Sequence, residues 1–115
     1  MPVTNFETLK EFDDILKQSE RDYVFVYFSG EGCQPCEKLG PYYDKFADEF
    51  GEAFFKIENR RGDNSTNSPK QKANVEVFPT FLLYEAGLEL GRLLTNSPNQ
   101  LKEWIKLHVS PPGDD

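Results

Sequence analysis

The chain is short of cysteine, of histidine and of positive charge, and each shortage removes a class of function. Two cysteines in 115 residues, Cys33 and Cys36, cannot make the disulfide framework of a small secreted domain. A bridge between them would close too short a loop to constrain much of the chain. With one histidine, His108, the thiols fill only half of a tetrahedral site unless a second chain or an outside thiol completes it, so no metal is expected. Thirteen basic against twenty acidic residues give a formal net charge of −7, which argues against nucleic acid and anionic membranes as partners. No apolar run approaches the roughly 20 residues of a membrane span. The opening MPVTNFETLK lacks a basic segment followed by a hydrophobic one, so a cytoplasmic location is expected.

What the chain does have is aromatic surface to bury: ten Phe, five Tyr and one Trp. These side chains supply large buried areas each, enough for one core. One domain, 1–110, is expected, with Pro111-Pro112-Gly113-Asp114-Asp115 as a frayed tail and the molecule a monomer. The organising stretch runs from Tyr23 to Phe50. YVFVYF reads as a central strand covered on both faces, SGEG as a flexible turn, and Cys33-Gln34-Pro35-Cys36 as the start of an amphipathic helix. A spacing of three residues sets both sulfurs on one face of a first helical turn, near enough to bridge. Unpaired backbone N–H groups and the positive end of the macrodipole lower the pKa of the sulfur that faces out. Cys33 precedes the helix and should be reachable, whereas Cys36 lies one turn in and should be shielded.

Around that stretch, Val3 to Phe6 reads as an edge strand, and Thr8-Leu9-Lys10-Glu11 as a capping box opening a helix to about Ser19. The second helix carries Leu39, Tyr42, Tyr43, Phe46 and Phe50, is expected to kink at Pro41 and stops at Gly51. Ala53 to Ile57 reads as a parallel strand. The polar segment Glu58 to Lys72 reads as a loop ending in a short helix, and Asn64-Ser65-Thr66 and Arg61-Gly62-Asp63 within it as loop composition. Phe81 to Tyr84 and Leu88 to Leu94 form an antiparallel pair across Glu85-Ala86-Gly87. Ser97-Pro98 then opens a last helix burying Leu101, Trp104 and Ile105. This order is α/β, with helices around one mixed sheet.

FSGEGCQPCEKLGP around the cysteines, V-F-P-T-F from Val77 to Phe81 and the L-L-Y-E-A-G turn after it resemble the thioredoxin family, over nearly the whole chain. The resemblance implies a thioredoxin-like fold, a mixed sheet of four to five strands flanked by helices on both faces. It implies a protein disulfide reductase in which Cys33 is the nucleophile and Cys36 the resolving thiol, with no cofactor beyond that dithiol. Its partners would be disulfide-containing proteins and an electron donor, either a flavoprotein like thioredoxin reductase or glutathione. Pro35 would stiffen the turn and Gln34 tune the redox poise. Pro79 would be a cis-proline bounding the substrate groove, with Gly32, Phe78 and Thr95 along its edges, and Tyr42 or Tyr43 is a further candidate contact.

Departures from the family pattern fall where catalysis is assisted. Tyr27 stands in place of a buried acid, Gly32 of a tryptophan and Thr95 of a glycine, and the segment Glu58 to Lys72 is a few residues longer. Lys56 matches a lysine near the missing acid; it either favours a thiolate or points to solvent at a strand end. Two alternatives to the reductase therefore stand beside it: a binding module whose redox activity has decayed, and an isomerase or oxidase module.

Overall fold

The apolar run after Asp22 forms the strand Val24–Gly30, buried at every position because both of its faces are covered. The computed structural model describes residues 2–110, so the expected tail lies outside the described residues. The element order is β1 (Thr4–Asn5), α1 (Leu9–Gln18), β2 (Val24–Gly30), α2 (Gln34–Phe50), β3 (Ala53–Asn59), α3 (Pro69–Lys72), β4 (Thr80–Glu85), β5 (Leu88–Leu93) and α4 (Pro98–His108). The five strands form one sheet in the order β1-β3-β2-β4-β5, which places β2 in the middle. Pairing is parallel from β1 to β3 to β2 and antiparallel from β2 to β4 to β5, so the sheet is mixed.

Side chains alternate across β2, and the alternation separates two cores. Phe25 and Tyr27 join Cys36, Leu39, Tyr43 and Phe46 of α2 and Leu101 and Ile105 of α4. Val24, Val26 and Phe28 join Phe12 and Ile15 of α1 on the opposite face, with Ala73 and Val75 after α3. Helices thus cover both faces, as the sequence pattern implies. Aromatic contacts carry much of the packing: Phe12 meets Phe6, Phe28 and Tyr84 at centroid distances of 5.8, 6.0 and 5.9 Å.

Local capping agrees with the sequence. Thr8 and Glu11 close a capping box at α1, and the Ser97 hydroxyl accepts the Gln100 N–H at α4. Several boundaries differ. The strand itself is Thr4–Asn5; the Phe6 N–H still donates to the Lys56 carbonyl at 3.0 Å, and its ring stacks on Phe12. The middle strand continues two residues past Phe28, because Ser29 and Gly30 pair with Glu58 and Asn59. The helix α2 carries Pro41 inside it and ends at Gly51, both as expected. Trp104 is half-buried, edge-on to Phe25 at 5.7 Å, and not enclosed in the core.

Candidate active site

The site forms at the carboxyl end of the middle strand, the usual place for ligands in an open α/β sheet. The strand ends at Gly30, the Glu31 N–H donates to the Asn59 carbonyl at 2.8 Å, and the chain turns through Gly32 at φ +71° into α2. Cys33 is the N-cap of that helix in extended geometry, with φ −90° and ψ 107°. Its Sγ accepts the backbone N–H of Cys36 at 3.2 Å, taking the place that a serine or aspartate oxygen fills in other caps. Cys33 and Cys36 are joined in a disulfide with their Cα atoms 5.2 Å apart. Their surroundings differ: Cys36 is 2% exposed within the α2-side core, while Cys33 is only partly covered.

Phe78 packs over Gly30, at the end of the middle strand. A Cβ on Gly30 would come within 2.6 Å of the Phe78 ring, so the bare backbone of Gly30 is what lets the ring sit there. Phe78 is half-buried, and the Phe78–Pro79 peptide bond is cis, as the resemblance implies. Pro79 is buried directly ahead of Thr80, which pairs with Phe28 on the middle strand. Gln34 is exposed and Pro35 half-buried at the first turn of α2. The Thr95 hydroxyl accepts the Ser97 N–H at 3.0 Å and donates to Gln100, so it is engaged with the start of α4. Tyr43 is 1% exposed and donates its hydroxyl to the Phe55 carbonyl, which removes it as a substrate contact; Tyr42 is exposed.

Beneath the disulfide, Tyr27 is wholly buried and its hydroxyl donates to the Cys36 carbonyl at 2.8 Å. In the sequence Tyr27 stands only where the family has an acid, and nothing there signals this bond between the middle strand and the first helical turn. The Lys56 ammonium sits 5.5 Å from the centre of the Tyr27 ring. Lys56 lines a cleft of about 440 Å³ together with Cys36, Glu37, Asp44 and Glu58. Burial pushes the Tyr27 phenol up from 10.0 to about 12, and likewise raises Tyr43 and Tyr84.

The folded protein holds those phenolic protons more tightly than the unfolded chain does. Their contribution to stability is therefore complete below about pH 10, the unfolded value, and is lost as pH climbs through the folded one. Urea midpoints followed by circular dichroism should stay level with respect to tyrosine ionisation up to about pH 10 and fall above it. Phenolate absorbance from the three buried tyrosines should rise together with unfolding; ionisation well ahead of unfolding would contradict their burial.

The family model described as Thioredoxin matches residues 3–107. Thioredoxin-1 of Saccharomyces cerevisiae is 32% identical over 105 residues, covering 90% of this chain and 95% of that protein. Thioredoxin-2 of the same yeast is 30% identical over 108 residues, covering 93% and 99% respectively. The solved structure of a reduced Schistosoma mansoni thioredoxin pre-protein superposes with a TM-score of 0.80 at 19% identity, over 95% of this chain and 100% of that one, a likeness of fold. Family match, yeast relatives and a joined Cys33–Cys36 pair agree: the chain belongs to the thioredoxin family, the thiol-disulfide oxidoreductases.

Proposed function

We propose that the chain works in the cytoplasm as a reductase of protein disulfides, with Cys33 attacking, Cys36 resolving and no cofactor beyond the dithiol. The observation that carries the assignment is the asymmetry of the two sulfurs. Cys33 is partly open and its sulfur already receives an N–H at the helix mouth, an arrangement that favours a thiolate; Cys36 is enclosed. The Cys33 thiolate attacks one sulfur of a substrate disulfide, that S–S bond breaks, and the other sulfur leaves and takes up a proton. Cys36 then loses its proton and attacks the Cys33 sulfur; the bond from Cys33 to the substrate breaks, and the second substrate sulfur leaves and takes up a proton. The substrate gains two electrons and two protons, and the pair becomes a disulfide. Tyr27 is a poor acceptor for the Cys36 proton, since its pKa is pushed up to about 12. The cleft beside Cys36 offers Glu37, Asp44 and Glu58 instead, with Lys56 among them. Gln34 and Pro35 set the turn, and Gly32, Phe78, Pro79 and Thr95 are assigned to the groove. Two electrons from a flavoprotein reductase or from glutathione return the pair to the dithiol.

Equilibration against a glutathione series tests the direction. Thioredoxin itself lies at about −270 mV and protein disulfide isomerase at about −180 mV, values that belong to those proteins and serve only as a scale. A reductase should give a midpoint more negative than about −220 mV, the upper end of the cytosolic glutathione poise. A midpoint near the isomerase value overturns the reducing direction, and a pair that never titrates leaves only a binding module.

A further inference from the structure

We infer that Arg61 determines specificity in this site, selecting disulfides whose cysteine is flanked by a carboxylate. The inference rests on the reductase reading above and names a substrate class for it. The position preceding the attacking cysteine is Gly32 in this chain, at φ +71°, and its missing side chain leaves room that another residue fills. A Cβ built on Gly32 would collide with the Arg61 guanidinium, whose Cζ would lie 3.2 Å away and Nε 3.5 Å. The surface beside Cys33, aromatic in the family that this chain resembles, is therefore cationic.

Two bonds hold Arg61 there. The Glu31 N–H donates to the Asn59 carbonyl at 2.8 Å, and the Glu31 carboxylate accepts the Arg61 backbone N–H at 3.2 Å. That carboxylate takes the main chain and not the guanidinium; among the described residues no ion pair engages the Arg61 side chain. Arg61 is exposed, with its donors open to a ligand. A second cation comes from the same stretch of chain: the Lys70 ammonium lies 5.8 Å from the centre of the Phe78 ring, which packs on Gly30. The long polar segment thus brings positive charge to both flanking residues, Gly32 and Phe78.

A guanidinium presents planar paired donors that match a carboxylate, so a glutamate or aspartate next to the substrate cysteine meets a geometric partner and not only a charge. The whole molecule carries −7, so long-range steering works against acidic substrates, and the preference arises at short range. Glu31, Glu37, Asp44 and Glu58 line the cleft that Gly32 shares with Cys36, with Lys56 among them, so the pairing with a carboxylate is confined to the Arg61 side of Gly32.

The test uses three peptide disulfides that differ only in the residues flanking one cysteine, Glu, Gln or Lys, each reduced by wild type, Arg61→Ala, Arg61→Lys and Arg61→Glu. The readout is the ratio of kcat/KM between peptides within each variant. Wild type should favour the Glu peptide over the Gln peptide by about fivefold, the upper range for one exposed ion pair. The ratio should fall to about one in Arg61→Ala, recover in part in Arg61→Lys, and turn in favour of the Lys peptide in Arg61→Glu. Ratios that stay the same in every variant overturn the inference, as does a uniform rate loss on all three peptides, which would place the charge effect on Cys33 itself. Wild type that reduces none of the peptides sinks the reductase reading, and this inference with it; equal reduction of all three sinks the inference alone.

Discussion

Replacing Cys36 by serine is expected to stop turnover and leave Cys33 covalently joined to its substrate, whereas Cys33→Ser forms no adduct at all. The partly open end of the pair can meet a peptide; the enclosed sulfur cannot, being 2% exposed and in one core cluster with Leu39, Tyr43 and Phe81. Attack and resolution therefore divide between the residues. Without Cys36 the mixed disulfide has no neighbouring thiol to displace it, and outside thiols arrive only at their solution concentration. Turnover with dithiothreitol and insulin should drop on the order of 10³-fold or more in either variant, since each removes one of two obligatory steps. Non-reducing electrophoresis separates them: a shifted band that reductant dissolves for Cys36→Ser, and none for Cys33→Ser. An adduct on Cys36 in the Cys33→Ser protein would reverse the assignment of roles.

That division of labour is written in four residues, and it is the part of the molecule most legible in the sequence. A continuous apolar run can only be a doubly covered strand or a buried helix, and its length, valines and flanking turn residues decided for the strand. Side-chain caps at Thr8 and Ser97 were equally readable, because capping chemistry is local. What failed was whatever depends on a distant partner. Ser29 and Gly30 carry no strand pattern; they extend the middle strand because Glu58 and Asn59 lie alongside, and the Asn59 amide donates to the Ser29 carbonyl at 3.0 Å. Of the polar segment only Glu58 and Asn59 are accordingly strand; 60–68 form the expected loop and Pro69–Lys72 the expected short helix. Arg61 over Gly32 and the Tyr27 hydroxyl on the Cys36 carbonyl are likewise tertiary contacts. A glycine at position 32 records a missing side chain, and nothing in its neighbours says which residue moves into the space.

Tyr27→Ala is expected to cost about 3–5 kcal/mol of stability, the range for truncating a fully buried aromatic, while Tyr27→Phe should cost about 1 kcal/mol for one hydrogen bond. The ring lies at the centre of the α2-side core, stacked on Phe81 at 4.6 Å and edge-on to Tyr43 at 5.0 Å, with no exposed surface. Its hydroxyl then ties the first turn of α2 to the sheet, so one side chain both fills the core and fixes the backbone of the resolving cysteine. The paired variants separate these jobs by urea denaturation, because phenylalanine keeps the packing and loses only the bond. They also decide the chemistry at the position where the family carries an acid. General acid-base assistance is worth roughly 10²- to 10⁴-fold. If the hydroxyl took the Cys36 proton, Tyr27→Phe would lose rate on that scale. With the phenol pushed up to about 12 it stays protonated at neutral pH, so reduction of a peptide disulfide by Tyr27→Phe should stay within about twofold of wild type. A loss of a hundredfold in a folded Tyr27→Phe protein would move the proton acceptor from the acidic cleft to Tyr27. An unchanged rate leaves Tyr27 as the post on which the helix mouth is held.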